Sequence, residues 1–305
     1  MIIDAHAHWL PEEIISSAHF FSKAWGDIEA QIAVMENLGI RKAVLTYPTS
    51  DAGLKLGGGR EVARIYNDRV TQIIRRYPDR FLGAAVLPVE SGEAMLAEWK
   101  RAREELGFRA ISLATSYDGR YLDDERFLPL YREAQEAAIP IFVHAQIVNP
   151  IGYERVRDPL LTPVIEYVFD TTMAVGRLLM SGILREFDRV KFIFGYFGGV
   201  VSFLKNRFDT TYQMLRSINF VKDLKGNPTD YIKRIYVDTS GETSRENLLS
   251  ALELFGSEHI LWGSEWPAKR DPLSSIRAIR DLPVSREAKE NMLSRNAEKI
   301  IEGVW

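Results

Sequence analysis

Short runs of apolar, often β-branched residues recur along the chain. They alternate with longer segments in which apolar residues return every three or four positions. The short runs predict strands and the longer segments predict amphipathic helices. Eight strands are predicted, at residues 2–5, 42–46, 82–87, 110–114, 139–144, 190–195, 234–238 and 259–263. Helices are predicted between them, among others at residues 28–38, 61–76, 94–105, 126–138 and 245–255.

This alternation of strand and helix indicates the fold class. Strands that are apolar on both faces and joined by helices form a parallel sheet that the helices cover. Eight such units in 305 residues match the size of an α/β protein with a (β/α)8 TIM barrel. A doubly wound open sheet is the alternative, but it rarely needs eight repeated units. No linker rich in Pro, Gly or Ser divides the chain, so we predict one domain over residues 1–305.

Two connecting segments are longer than a bare repeat needs. They are residues 9–27 after strand 1 and residues 146–188 after strand 5. Both follow the carboxyl ends of strands, where barrel enzymes build their active sites. They are therefore candidate walls of a site, or alternatively contacts to a second subunit.

The composition narrows the classes of function. Hydrophobic residues make up 46% and charged residues 27%, which is typical of a globular protein. Lys and Arg total 39 against 42 Asp and Glu, and this balance argues against a nucleic-acid-binding surface. The chain has no cysteine, which excludes disulfides, thiolate nucleophiles and cysteine-ligated zinc. Any metal would have to bind nitrogen and oxygen ligands.

Membrane association is not expected from the apolar pattern. No segment approaches the roughly 20 uninterrupted apolar residues that span a bilayer. The first residues carry acids and histidines and lack the basic segment followed by an apolar run that marks a secretory signal. We therefore expect a cytoplasmic protein.

Three of the five histidines stand at the carboxyl ends of predicted strands. His6 and His8 alternate at the end of strand 1, so their imidazoles project to one side. His144 ends strand 5, and Glu265 follows strand 8. Three imidazoles and a carboxylate suit zinc first, and also manganese, iron or nickel. Such a metal polarises a substrate oxygen or activates water, so we predict one divalent metal here.

At this point the chain resembles a known family. Residues 3–11 (IDAHAHWLP) resemble the opening of the amidohydrolase-related family, which contains aminocarboxymuconate-semialdehyde decarboxylase, gamma-resorcylate decarboxylase and oxalomesaconate hydratase. Further matches follow in order: YPDRF at 77–81, FLPLY at 127–131, IPIFVH at 139–144, GG at 198–199, VDTS at 237–240, GS at 263–264 and NA at 296–297. The resemblance runs the length of the chain.

The resemblance implies a metal-dependent barrel enzyme that hydrolyses, decarboxylates or hydrates a small carboxylic acid. It places His6, His8 and His144 at metal-binding positions, and Glu265 at the position of the acidic residue that binds metal and moves protons. It also implies a single divalent metal, no carboxylated lysine, and a dimer.

Two residues depart from the family's pattern. Tyr196 stands where the family usually has a histidine before the Gly-Gly of strand 6. A phenol with a pKa of about 10 can stabilise an oxyanion but is a poor base at neutral pH. Glu265 stands where the family usually has aspartate, and its extra methylene changes the angle at which it can bind a metal. Glutamate here is a feature associated with the hydratase.

Aromatic residues just after strands suggest the kind of substrate. Trp9, Tyr47 and Tyr117 suit a flat, aromatic or unsaturated molecule. We therefore predict a metal-dependent hydrolase or non-oxidative decarboxylase acting on a small aromatic or unsaturated carboxylic acid, or its lactone or amide. Glu265 would move the proton and Tyr196 would stabilise oxyanion charge. A hydratase of an unsaturated diacid and a metal-free barrel with a binding role are the alternatives. A homodimer is expected.

Overall fold

The computed structural model describes residues 1–221 and 223–301. Its centre is a sheet of eight parallel strands that follow one another in chain order. The strands are β1 (Ile2–His8), β2 (Ile40–Thr46), β3 (Phe81–Val86), β4 (Ala110–Ala114), β5 (Pro140–His144), β6 (Lys191–Phe194), β7 (Ile235–Asp238) and β8 (Ile260–Leu261). A short hairpin, Ser116–Tyr117 with Arg120–Tyr121, lies outside this sheet.

The sheet closes on itself between β8 and β1. The backbone N–H of Ala5 donates to the carbonyl of Trp262 at 2.9 Å, and the N–H of His8 donates to that of Trp266 at 2.8 Å. All eight predicted strands are present, with bounds that shift by a few residues. The prediction of a (β/α)8 TIM barrel is therefore confirmed.

Helices surround the barrel, and several end where the sequence predicts. The α-helices are α1 (Glu12–Ser17), α2 (Ile28–Leu38), α3 (Gly53–Leu56), α4 (Gly59–Arg76), α5 (Gly92–Arg101), α6 (Leu128–Glu136), α7 (Tyr153–Val156), α8 (Tyr167–Ser181), α9 (Ile183–Glu186), α10 (Val201–Ser217), α11 (Arg245–Phe255), α12 (Pro272–Arg280), α13 (Arg286–Glu290) and α14 (Asn296–Ile301). Helix α2 is preceded by the capping residue Asp27, whose carboxylate accepts the N–H of Ala30. It is followed by Gly39, whose backbone is left-handed. Both are common helix boundaries.

Shorter helical turns fill the connections. The 3-10 turns are Lys23–Gly26, Glu125–Phe127, Tyr196–Gly198, Pro228–Arg234 and Ser257–His259, and the π-helical segments are Ala102–Leu106, Thr162–Glu166 and Asn291–Arg295. Within residues 1–221 and 223–301, no helix has the length and apolar character needed to cross a bilayer.

The barrel interior holds its own apolar cluster, to which each of the eight strands contributes one or two side chains. The strand members are Ile3, Ala5, Val44, Ala84, Ala110, Phe142, Ile193, Tyr236 and Leu261. Ala297 and Ile300 of α14 belong to the same cluster. Since Ile3 lies at the start of β1, α14 covers the amino-terminal end of the barrel and leaves the carboxyl end for a site.

The two long connections lie at that carboxyl end. Residues 9–27 form α1 and a 3-10 turn, and residues 146–188 include α7, α8 and α9. The loops after β2 and β5 are joined above the barrel, where the N–H of Ile147 donates to the hydroxyl of Thr49 at 3.2 Å. The mouth of the barrel is therefore partly bridged.

Candidate metal centre

Three histidines converge at the carboxyl end of the barrel. His6 and His8 occupy alternate positions of β1, and His144 is the last residue of β5. Their ring centroids lie 4.9 to 5.1 Å apart, and one ring nitrogen of each lies within 4.8 Å of the other two. All three side chains are buried. The structure thus brings together the three histidines that the sequence selected.

The Nδ1 atom of each imidazole lies within hydrogen-bond distance of an acceptor oxygen. The Nδ1 contacts are with Asp238 Oδ2 at 2.7 Å for His6, with the Thr46 carbonyl at 3.0 Å for His8, and with the Ala145 carbonyl at 2.7 Å for His144. The opposite nitrogens, Nε2 of His6 and of His8, are buried and have no hydrogen-bond partner among residues 1–221 and 223–301. Burying an unpaired polar atom costs free energy. Histidines that bind metal usually donate their other N–H to a carboxylate or carbonyl, so these residues fit a divalent cation.

Burial and neighbouring charges separate the pKa values of the three imidazoles. Burial disfavours the charged form of His6, but the Asp238 carboxylate outweighs it and, with Glu265, raises the pKa of His6 to about 9. Burial and the charge on His6 lower the pKa of His144 to about 3, and the pKa of His8 is held well below its ordinary value for the same reasons. His8 and His144 are therefore neutral at physiological pH, which is the form that binds a metal.

Glu265 lies beside the three histidines but is not a member of their cluster. The phenol of Tyr196 donates to its Oε1 at 2.6 Å, and the N–H of Gly241 donates to its Oε2 at 2.6 Å. Burial, followed by the charge on Glu265, keeps the pKa of Tyr196 well above its ordinary value. The phenol is thus a neutral donor that fixes the direction of the carboxylate.

The backbone at Tyr196, Phe197 and Glu265 adopts a left-handed conformation that is uncommon for residues with a side chain. The φ angles of Tyr196, Phe197 and Glu265 are 53°, 56° and 58°. Left-handed residues of this kind cost about 1–3 kcal/mol each and cluster at functional sites. A Cβ added at Gly241 would lie 2.5 Å from Cδ1 of Tyr196, so only glycine leaves room for the ring.

Asp170 of α8 ties the end of β5 to its surroundings. Its buried carboxylate accepts hydrogen bonds from the Thr115 hydroxyl, from Ser116 Oγ at 2.9 Å, from the Tyr121 phenol at 2.8 Å and from the Ile151 N–H at 3.0 Å. The Thr115 hydroxyl also accepts the Gln146 N–H, and the Thr115 N–H donates to the carbonyl of His144 at 2.9 Å. One carboxylate therefore links the connections after β4 and β5 around a candidate ligand.

Replacing Asp170 with alanine is expected to lower the free energy of unfolding by about 3 kcal/mol or more, because four donors lose their shared acceptor and most stay buried. Urea unfolding of the metal-free protein measures the change. Asp223→Ala is the matched control, since Asp223 is exposed and pairs with Arg216 at the surface; we expect a much smaller loss there, because exposed ion pairs add little to stability. Equal losses in the two variants would contradict this role of Asp170.

The predicted aromatic residues do not all lie in one place. Tyr47 and Tyr117 line a cavity of about 760 Å3 beside the ends of β2, β3 and β4. Trp9 lies in a different cleft, where its indole N–H donates to the carbonyl of Gly26 at 2.9 Å. Trp25 contacts the histidines instead, with its ring stacked on that of His8 at a centroid distance of 5.6 Å, and the Tyr196 ring lies edge-on to that of His144 at 6.2 Å. The sequence pattern did not distinguish Trp25 from the other aromatic residues of the chain.

Comparison with known proteins adds a family match. A family model described as "Amidohydrolase" matches residues 3–302. The 2-amino-3-carboxymuconate-6-semialdehyde decarboxylase of Dictyostelium discoideum is 25% identical over 244 residues, which are 78% of this chain and 65% of that protein. This chain thus matches just under two thirds of that relative's length. The gamma-resorcylate decarboxylase of a Polaromonas strain is 26% identical over 283 residues, covering 85% and 86% of the two chains.

A solved structure has the same fold over nearly the whole chain. It is the 5-carboxyvanillate decarboxylase of Novosphingobium aromaticivorans, complexed with manganese and 4-hydroxy-3-methoxy-5-nitrobenzoic acid. The TM-score is 0.84 at 24% identity, with 99% of this chain and 96% of that chain covered.

Proposed function

The chain belongs to the amidohydrolase family and is an enzyme, and from that premise we propose that it removes carbon dioxide from a small aromatic or unsaturated carboxylic acid with the help of one divalent metal. The observation that carries this proposal is the pair of buried, unpartnered Nε2 atoms on His6 and His8, beside His144. The relatives named above are decarboxylases, and they favour decarboxylation over the hydrolysis and hydration that the sequence also allowed.

We propose that His6, His8 and His144 hold the metal. A bound divalent cation supplies Lewis-acid stabilisation of negative charge on substrate oxygens. Zinc is the metal that the ligand types predict first. The manganese in the solved relative makes manganese the first to test, and the nitrogen ligands suit both.

Glu265 is the proposed proton donor. In the proposed step the bond between the substrate carbon and its carboxylate breaks, carbon dioxide leaves, and the electron pair stays on that carbon. Glu265, which takes up a proton from solvent before the reaction, transfers that proton to the carbon and becomes the carboxylate that Tyr196 and Gly241 hold. Tyr196 and the Gly241 N–H hold Glu265 in place, because each donates to one of its oxygens. Tyr196 itself keeps its proton, as its raised pKa requires.

Tyr47 and Tyr117 are proposed to contact the substrate. Trp9 is left out of this proposal because it lies in a different cleft. The two tyrosines lie at the carboxyl ends of strands and line the same cavity. The hydroxyl of Tyr117 accepts the Ala114 N–H at 2.7 Å, which fixes its ring. Aromatic rings held in this way suit a flat substrate.

Tyr196→Phe is expected to lower kcat by about 10- to 100-fold, with a smaller change in KM and no loss of metal, because one hydrogen bond to Glu265 disappears. Steady-state kinetics with metal analysis of the same sample measures this. Tyr196→His, which restores the usual family residue, separates two interpretations. We expect it to be less active than the unmodified protein; higher turnover would mean that tyrosine is a degraded form of the histidine.

The proposed reaction is tested with the manganese-loaded protein and a panel of carboxylic acids labelled with ¹³C in the carboxyl group. Aromatic hydroxy acids with one ring, aromatic hydroxy acids with two rings and unsaturated acids form the panel, and released ¹³CO2 is measured by mass spectrometry. We expect release from at least one acid, and none after removal of the metal by a chelator. Hydrolysed or hydrated products from a parallel panel of lactones, amides and diacids, without any ¹³CO2, would contradict it.

We also propose that the enzyme is a homodimer that forms through the connection after β5. Exposed apolar side chains on that connection support this, including Leu160 at 78%, Val164 at 67% and Phe169 at 51% exposure. Burying such a patch is a common basis of subunit contact. Light scattering is expected to give twice the 34.8 kDa mass of one chain, and a monomer at micromolar concentration would contradict the proposal. The cytoplasmic location stays a prediction.

A further inference from the structure

The cavity of about 760 Å3 lies to one side of the histidine cluster and is called the side cavity below. The histidines, Tyr196 and Glu265 come from β1, β5, β6 and the residues after β8, whereas the side cavity lies at the ends of β2, β3 and β4. The histidine cluster, Tyr196 and Glu265 thus lie on one side of the barrel mouth, and the side cavity lies on the other.

The inner wall of the side cavity adjoins the cluster along the chain. Tyr47 directly follows Thr46, whose carbonyl holds His8. Ala114 is the register partner of His144 in the sheet, and Gln146 lies two residues beyond His144. All three wall residues line the side cavity. A molecule with its carboxylate at the histidines therefore has the side cavity as its neighbouring space.

The side cavity has an apolar wall in addition to polar lining residues. The aliphatic members of the lining are Leu54, Val62, Val86, Leu87, Val89, Leu113, Ala114 and Val148. The Tyr47 hydroxyl bonds that of Ser50, and Ser112 Oγ accepts the Tyr47 N–H at 3.0 Å. The aliphatic wall is therefore the part of the side cavity that suits an apolar group.

Charged lining residues are either paired or exposed. Asp51 is paired with His19, and Arg126 donates to Asp124 at 3.0 Å. Glu90, Asp118 and Arg120 are exposed at the rim. Among the lining residues that the structure describes, the interior therefore offers no unpaired charge to a ligand, and a second carboxylate placed there would lose its hydration without compensation.

Resting on the proposed function, we propose that the side cavity binds an uncharged apolar extension of the substrate. The substrate is then an acid with a second ring or a branched apolar chain, rather than a single-ring acid. Cavities of about 300–1,000 Å3 bury most of a drug-sized ligand, and 760 Å3 lies in the upper part of that range. Val62 and Val148 lie on the wall of the side cavity, so a larger side chain at either position would leave less space for the extension.

Isothermal titration of the manganese-loaded protein tests the proposal. The probes are salicylate and three two-ring acids, 3-hydroxy-2-naphthoate, 1-hydroxy-2-naphthoate and 4-phenylsalicylate, which direct the second ring differently. At least one two-ring acid is expected to bind tenfold or more tightly than salicylate. Val148→Phe and Val62→Phe, which fill the side cavity, are expected to bring that ratio close to one while salicylate affinity changes less than twofold. Ile218→Phe, which introduces the same ring at an exposed residue outside the side cavity and outside the connection after β5, should leave the ratio unchanged.

Two outcomes overturn the proposal. One is that no two-ring acid binds more tightly than salicylate. The other is that the preference survives in both filled variants when their thermal unfolding shows that they are folded. If no acid binds at all, titration with neutral 2-naphthol tests the subsite separately, because binding of this compound needs no carboxylate. Binding of 2-naphthol that Val148→Phe removes would support the apolar subsite although the proposed function has failed. No binding of 2-naphthol would overturn the subsite as well.

Discussion

A variant carrying both His6→Ala and His8→Ala is expected to retain no divalent metal and to lose at least about 10³-fold of its turnover. Two of the three converging nitrogens disappear, and His144 alone offers a single ligand atom. Metal content per chain is measured by inductively coupled plasma mass spectrometry after reconstitution with manganese and, separately, with zinc. Release of ¹³CO2 is measured on the same samples.

The chain provides a matched control for this variant. His19→Ala with His259→Ala also removes two histidines, but His19 contacts Asp51 and His259 contacts the Phe255 carbonyl, away from the cluster. This control is expected to bind as much metal as the unmodified protein. Equal metal content in the two double variants would exclude the cluster as the binding site. Loss of metal with full turnover would show that the reaction does not depend on it.

Glu265→Gln is expected to lower kcat by about 10²- to 10⁴-fold while metal content stays at the level of the unmodified protein. The amide has nearly the same shape but cannot supply the proton. Metal is retained because Glu265 is not a member of the histidine cluster. Single-turnover kinetics and metal analysis together measure the two effects.

Glu166→Gln is the matched control, since Glu166 is also buried and bonds the Thr162 hydroxyl away from the cluster. We expect its turnover to fall less than threefold. Unchanged turnover in Glu265→Gln would remove Glu265 from the chemistry. Loss of metal together with turnover would instead identify Glu265 as a direct ligand, the role that the family resemblance implies for position 265.

The barrel and its three histidines could be predicted because both depend on local patterns. A strand covered on both faces must be apolar throughout, so a histidine at its carboxyl end stands out from the run. Alternate positions of one strand share a side, which places His6 and His8 together without knowledge of the rest of the fold. His144 could be added because the carboxyl ends of all strands meet at one end of a barrel.

Features that depend on how connections fold could not be predicted in this way. Trp9 follows β1 directly and was the natural candidate, but its indole bonds Gly26 and turns away. The 3-10 turn Lys23–Gly26 brings Trp25 onto His8 instead. A charged residue within a helix usually faces water, so Asp170 gave no sign that it is buried among four donors.

The closure between β8 and β1 has a consequence for how the protein is made. His6 depends on Asp238, which is 232 residues further along the chain, and Asp4 accepts the N–H of Ser264, which is 260 residues away. At a synthesis rate of roughly 5–20 residues per second, the first strand leaves the ribosome roughly 10–50 s before its partners exist. Throughout that interval His6 lacks the carboxylate that orients its ring, and His144 of β5 also comes much later in the chain. The three histidines can therefore converge only late in synthesis, when the strands that hold them have all been made.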